Sequence, residues 1–248
     1  MNDIEYQSMF AVEDMHWWYV SLHELIISYV AAEYRGKPLE ILDAGCGTGR
    51  LCQLLGPYGN VTGIDASELA LGFSRQRGLK NVYHADLNDV DLGDSRYDLI
   101  TSIDVIYHKA VTDEGRVLAK FFSALKPGGM LILNLPAFEF LRSTHDIAVQ
   151  TRRRYTRYEL AALLARAGFV VEKSSYRIAF LFPLIALYRL CRKVLPHARN
   201  PEHVSSDVYP PSPLLNTTLL AVSRIENVLQ QKISLPFGTS VFLVARRS

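Results

Sequence analysis

ILDAGCGTGR, residues 41–50, sets a glycine at every second position directly after an apolar run. Glycine loses more backbone freedom on folding than any other residue, so Gly45, Gly47 and Gly49 in so short a span call for a reason. LEILDAG predicts a strand and GRLCQLLGPYG a helix closed by glycine, so the loop falls at a strand-to-helix crossing. In open α/β sheets ligands bind there, beyond the carboxyl ends of the strands and near the point where strand order reverses. A phosphate-binding loop needs G-x-x-x-x-G-K-[ST], and no lysine follows these glycines. A dinucleotide loop needs G-x-G-x-x-G; here Gly49 comes one residue early and Arg50 takes the expected place. Asp43, just before the loop, repels a phosphate and attracts an ammonium group.

Outward from the loop, strands and helices alternate. Upstream, Met9, Phe10, Trp17, Leu22, Leu25, Ile26 and Tyr29 recur at three- and four-residue steps and predict one helix over residues 6–35. Downstream, NVTGIDAS and NVYHADL predict the second and third strands, with a helix from Glu68 to Gly78 between them. YDLITSIDV is nearly continuous apolar sequence, as a strand buried on both faces should be. A helix over 112–125 stops at Pro127-Gly128-Gly129, and MLILNLP follows as the fifth strand. RYELAALLARAG predicts a helix with Thr156 as its N-cap and Glu159 closing a capping box. FVVEKSSY and TSVFLVARR supply the last strands. At least five alternations imply parallel βαβ units in a doubly wound α/β sheet.

Two further carboxylates stand at predicted strand ends. Asp65 closes the second strand, where a carboxylate accepts hydrogen bonds from both ribose hydroxyls, and Asp86 closes the third, within reach of an adenine amine. With Asp43 these describe a nucleoside carrying a cationic, zwitterionic tail and no phosphate, which is S-adenosylmethionine. LDAGCGTGR, VTGIDAS, YHADL, YDLITSIDVIYH and LKPGGMLILNLPA, in that order, resemble the motifs of class I S-adenosylmethionine-dependent methyltransferases. The resemblance covers residues 39 to about 177, and SVFLVARR resembles that family's antiparallel final strand. It implies a Rossmann-like, mostly parallel seven-stranded sheet, with the cofactor over the first three strands and the acceptor over the fourth and fifth. It also implies that Asp43, Gly45, Gly47 and Gly49 hold the methionine end, Asp65 the ribose, and Asp86 and Leu87 the adenine. Ala44, Cys46, Ala66 and Ile103 flank these positions within the same motifs. The expected product is S-adenosylhomocysteine, and no metal is expected.

On the acceptor side a hydroxyl benefits from a general base, most often histidine. His108 follows the fourth strand, where many relatives carry Glu-His and this chain has Tyr107-His108. His145 lies in LRSTHDIAVQTRRRYTRYEL, which resembles the Thr-His-Asp stretch of ubiquinone-pathway O-methyltransferases; Asp146 beside it would hold it as a base. Arg152, Arg153, Arg154 and Arg157 cluster next, and a guanidinium grips carboxylate or phosphate bidentately. Arg153, Arg154, Tyr155, Tyr107 and Trp18 are the candidate acceptor contacts. Trp17 and Trp18 point about 100° apart on a helix, so at most one is expected to face the ligand.

These features predict four regions: an N-terminal helical lid (1–38), the cofactor-binding core (39–177), a helical, apolar cap insertion (178–236) and the final strand (237–248). The chain has 248 residues with net charge +2, but residues 1–140 carry net −8 and residues 141–248 net +10. That split points the C-terminal part towards something anionic. The basic residues form no single block and no nucleic-acid reading motif is present, which argues against a nucleic-acid partner. Three cysteines without ligand-type spacing and a mixed polar N-terminus suggest a cytoplasmic protein. IAFLFPLIALY contains Pro183 and is too short to span a bilayer. With Arg189, Arg192 and Lys193 behind it, 178–199 is a candidate for peripheral membrane contact or a hydrophobic lid. The expected reaction is methyl transfer to a small or lipid-linked, anionic acceptor, at oxygen rather than nitrogen; the alternatives are N-methylation or a non-catalytic S-adenosylmethionine-binding module.

Overall fold

The computed structural model describes residues 3–194 and 211–248. Part of the expected cap and the end of the expected membrane-contacting stretch, residues 195–210, lie outside the described residues, as do the side chains of Arg192 and Lys193. One seven-stranded sheet organises the rest, in the order β3-β2-β1-β4-β5-β7-β6. The strands are β1 (Leu39–Ala44), β2 (Gly59–Asp65), β3 (Val82–His84), β4 (Tyr97–Ile103), β5 (Leu125–Pro136), β6 (Phe169–Arg177) and β7 (Ser240–Arg247). β1 pairs in parallel with both β2 and β4, and β4 with β5. β7 alone runs antiparallel, wedged between β5 and β6. Strand order reverses between β1 and β4, so the expected switch point sits directly beyond Asp43.

Residues alternate across the central strands because successive side chains of a strand point to opposite faces. Ile41, Leu99, Ile132 and Phe242 bury one face against Leu22, Leu25 and Ile26 of α2 (Trp17–Glu33) and Leu51 and Leu55 of α3 (Arg50–Leu55). Their neighbours Leu42, Ile100, Leu131 and Leu243 bury the other face against Val117, Leu118 and Phe121 of α5 (Glu114–Ala124) and Leu160 and Leu164 of α7 (Arg157–Arg166). The continuous apolar runs of β4 and β5 are thus explained by burial on both sides. Thr156 and Glu159 form the expected capping box at the start of α7.

The expected single helix over 6–35 is two. α1 (Asp3–Val12) ends in a turn, and α2 starts afresh with His16 as N-cap, its ring accepting the Trp18 N–H. Met9, Phe10 and Glu13 therefore face different partners from Leu22 and Ile26, although the apolar spacing runs through both helices. α4 (Glu68–Gln76) and the short α6 (Thr144–Ala148) complete the core helices, while α8 (Phe182–Val194) and α9 (Pro213–Lys232) precede β7. α9 is built inside out: Ser223, Glu226, Asn227 and Gln230 are buried, Ile225 and Val228 exposed. Two of these buried polar groups are satisfied there: Asn227 Nδ2 donates to Ser21 O (2.7 Å) and Glu226 accepts the N–H groups of Ile178 and Phe180.

Candidate functional site

A cavity of about 840 Å³ lies beyond the carboxyl ends of β1–β5 and runs from the glycine loop to α8. Its floor is a row of residues at or just past the strand ends: Asp43, Asp65, Asp86 (in the loop two residues after β3, not closing it as expected), Ile103 with Asp104, and Pro136. Of the residues expected in the cofactor site, Asp43, Gly45, Cys46, Gly47, Asp65, Ala66, Asp86, Leu87 and Ile103 line it; Ala44 and Gly49 do not. Of the expected acceptor residues, Trp18, Tyr107, His108, His145 and Arg154 line it, whereas Arg153 and Tyr155 do not.

The glycines answer to protein atoms as well as to the cavity. Gly45, Gly47 and Gly49 all have left-handed backbones, with φ of +87°, +53° and +83°. A Cβ on Gly45 would stand 2.2 Å from Val105 Cγ2, and one on Gly49 would stand 2.5 Å from Leu79 Cδ1 and 2.7 Å from Ser74 Oγ. Gly49 is thus small because α4 and the residues after it press on the loop, and only Gly45 and Gly47 open onto the ligand space.

Each acidic strand end is held differently. Asp43 is buried, with Oδ1 accepting from Thr101 Oγ1 (2.8 Å) and Oδ2 from the Cys52 thiol (3.4 Å). Burial pushes its carboxyl up to about 6, against the pull of those two donors. Asp65 accepts the Gly47 N–H on Oδ2 and the Ser67 N–H on Oδ1, both at 2.9 Å, so it shapes the loop it faces. Burial raises its carboxyl too. Asp86 engages Oδ1 with the backbone and side chain of Asn88, which leaves Oδ2 for another donor.

α1 roofs this half of the cavity with Tyr6 and Met9, joined by Glu13 from the turn that follows it. It is clasped down at its end. Thr48 in the glycine loop donates to Glu13, Arg77 Nη2 donates to the same carboxylate at 2.7 Å, and Arg77 Nε donates to Thr48 O at 3.0 Å. Arg77 also lies over the Phe10 ring (4.6 Å), which stacks on Phe73 of α4, and Asp14 pairs with Arg50 at 2.9 Å. The two members of each of these contacts are at least 29 residues apart, so the roof was not readable residue by residue.

The other half is walled by Trp17, Trp18, Tyr19 and His23 of α2, by the loop after β4, by α6, and by Ile185, Tyr188 and Arg189 of α8. Both tryptophans line it, where at most one was expected; Trp17 begins the helix, and its N–H is fixed by Asn216 Oδ1 of α9 at 2.9 Å. The expected Asp146–His145 pairing is replaced by a bidentate ion pair. Asp146 accepts from Arg154 Nε (2.8 Å) and Nη2 (3.0 Å) and takes the Ser143 N–H as part of a capping box. That buried pair holds Asp146 below the usual carboxylate range against its own desolvation. Arg153 reaches Glu114 (3.3 Å) and stacks on Tyr155, a fully buried core residue; Arg152 also pairs with Glu114. The arginine cluster is therefore mostly structural, with Arg154 alone of the expected pair at the cavity.

His108 accepts the Ala110 N–H on Nδ1 (3.0 Å), and burial with nearby positive charge lowers it to about 4. A neutral ring held so carries its proton on Nε2 and presents a donor there. His23, buried, is lowered to about 3 and is neutral. Asp104 was not among the expected residues. It lines the cavity with a left-handed backbone (φ +55°) and accepts from Asn134 Nδ2 at 3.2 and 3.1 Å. Burial pushes its carboxyl up to about 7, against Asn134, Arg177 and Arg154. Gln150 and Ile178 at the same cavity also have positive φ, a costly conformation for a β-branched residue. Strain of this kind gathers at functional sites. Among the described residues no group of three or more metal-ligating side chains occurs.

This sheet order, with an antiparallel β7 and a carboxylate-tipped floor at the switch point, is the Rossmann-like methyltransferase fold. Residues 20–174 match the family profile described as a methyltransferase domain, and the chain belongs to that family. It is 29% identical over 165 residues to a probable S-adenosylmethionine-dependent methyltransferase of Mycolicibacterium smegmatis, covering 64% of this chain and 62% of that protein. It is 27% identical over 161 residues to the ubiquinone biosynthesis O-methyltransferase of Pasteurella multocida, covering 54% of this chain and 66% of the relative. The chain thus spans a little under two thirds of the length of each of these two relatives. In solved structures, a possible histamine N-methyltransferase of Thermotoga maritima shares the fold with a TM-score of 0.60 at 20% identity, over 98% of this chain and 95% of that one.

Proposed function

We propose that the chain is an S-adenosylmethionine-dependent methyltransferase acting on a small, anionic or lipid-linked acceptor, at oxygen rather than nitrogen. The observation that carries this reading is the single cavity joining three carboxylate-tipped strands to an apolar, aromatic-walled chamber under α8. The donor set suits S-adenosylmethionine. Asp65 keeps a lone pair on each oxygen for a ribose diol, Asp86 keeps Oδ2 for an exocyclic amine, and Asp43 offers a carboxylate to an ammonium. When bound, that cofactor supplies a methyl group activated on a sulfonium sulfur. The protein's part is alignment, which alone accounts for much of the acceleration of a two-body reaction. Trp18 and Tyr107 would position the acceptor, His108 would donate to it through Nε2, and His145 and Arg154 would face its polar end.

A lipid-linked acceptor is supported by the outer face of α8. Leu184 and Leu187 are 68% and 61% exposed one turn apart, while Ile185, Tyr188 and Arg189 of the same helix line the cavity. No helix among the described residues is long and apolar enough to cross a membrane, so the contact would be peripheral. The test is S-adenosylhomocysteine release with a panel of anionic phenols, carboxylic acids and lipid-linked sugars, with the lipid-linked members presented in phosphatidylglycerol vesicles. Release with at least one member supports the reading; a protein that binds S-adenosylmethionine and turns over none of them removes the proposed acceptor class.

A further inference from the structure

We infer that Asp104 is the proton acceptor for the methylated hydroxyl. This rests on the methyl-transfer reading and names the base within it. Four observations converge on the residue. Its carboxylate stands at the end of β4, beside the strand-order switch, where the cofactor half and the α8 half of the cavity meet. Its backbone is left-handed, and the Asp104 N–H is fixed to Asn134 O at 2.8 Å, so the neighbouring strand aims the side chain. Asn134 Nδ2 is the one described side chain that donates to it, which leaves further lone pairs on both oxygens. The two neighbouring phenols, Tyr19 of α2 and Tyr107 of the loop after β4, are raised by burial first and by the Asp104 charge after it, so neither gives it a proton near neutrality.

Chemistry favours this carboxylate over the imidazoles. His108 has Nδ1 engaged and its proton on Nε2, and so cannot take another without breaking the Ala110 contact. Asp104, in contrast, titrates close to the working range of an efficient base, because burial outweighs Asn134 and the two guanidinium groups facing it, Arg177 from β6 and Arg154 from the segment before α7. In the step itself the acceptor O–H proton passes to a carboxylate oxygen of Asp104 as the oxygen bonds to the methyl carbon. The methyl–sulfur bond breaks with its electron pair remaining on sulfur, and the proton then leaves to water through the cavity.

The test uses the full chain, S-adenosylmethionine and caffeate as the phenolic probe, comparing wild type with Asp104→Asn and Asp104→Glu by S-adenosylhomocysteine release. Wild type should show kcat/KM for caffeate rising about tenfold per pH unit to a plateau near pH 7. Asp104→Asn should lose that limb and lower kcat about 100-fold, while calorimetric affinity for S-adenosylmethionine stays within about threefold. Asp104→Glu should keep the limb with partial activity. A wild-type profile flat from about pH 5 to about pH 8, or an Asn variant keeping kcat within about tenfold, overturns the inference. So does a wild type that binds S-adenosylmethionine yet never turns over caffeate, which leaves the methyltransferase reading standing. Failure to bind S-adenosylmethionine at all instead removes that reading.

Discussion

Replacing Asp104 by Asn should make the protein more stable at alkaline pH and alter it little in acid. The folded carboxyl is raised from 3.8 to about 7 by burial, so between those values the folded state holds a proton that the unfolded chain has released. Stability therefore falls as pH rises through that window, and the penalty is complete above about pH 7. Three units at about 1.4 kcal/mol each give an upper value of about 4 kcal/mol. The carboxyl opens on a cavity that admits water, and screening there reduces the expected gain to about 2 kcal/mol. An asparagine at 104 keeps an oxygen for the Asn134 amide, so the change removes the charge and not the contact. Urea denaturation of both proteins, at about pH 5 and about pH 8, reads the difference; the variant's advantage should at least double between the two. An advantage that is absent, or equal at both pH values, would refute the reasoning that this carboxylate is held ionised at a cost for use in the cavity.

Other expectations follow from the same geometry. Gly49→Ala should destabilise by about 2–4 kcal/mol in urea, since it combines a left-handed backbone with overlap on Leu79 and Ser74. Arg77→Ala should weaken S-adenosylmethionine binding about tenfold and speed proteolysis within residues 1–16, because Arg77 ties Glu13 and Asp14 to the glycine loop; unchanged proteolysis would mean the clasp does not hold α1 down. Affinity for the cationic cofactor should fall about tenfold per pH unit below about pH 6 as Asp43 takes up its proton, and calorimetry across that range reads the slope.

Much of this architecture was legible because the core strands are long apolar runs whose neighbours on both faces are generic: Leu42 or Ile100 would be buried in any doubly wound sheet. The acidic floor of the cavity was legible for a related reason. Asp43 and Asp65 stand at strand ends and Asp86 two residues beyond β3, which stops at His84 rather than running on to Asp86, and the strands themselves were readable. What escaped reading depends on partners remote in sequence. Gly49 is pressed by Ser74 and Leu79, Arg153 is drawn off by Glu114, and Asp146 is taken by Arg154 rather than by its neighbour His145. The break between α1 and α2 was hidden because the apolar spacing continues through it, and His16 is not a strong capping signal. Asp104 carried a usable signal: an acid directly at the end of a buried strand, in the stretch SIDVIYH that also holds Tyr107 and His108.

The central claim is that the carboxylate-tipped floor holds S-adenosylmethionine, and calorimetry of wild type and Asp65→Ala tests it most directly. The account predicts that wild type binds S-adenosylmethionine and S-adenosylhomocysteine but not NADH, and that the variant, deprived of the carboxylate that holds both the Gly47 amide and the ribose, loses both ligands. Binding of NADH alone, binding of none of the three, or equal affinity in the Asp65→Ala protein would contradict it.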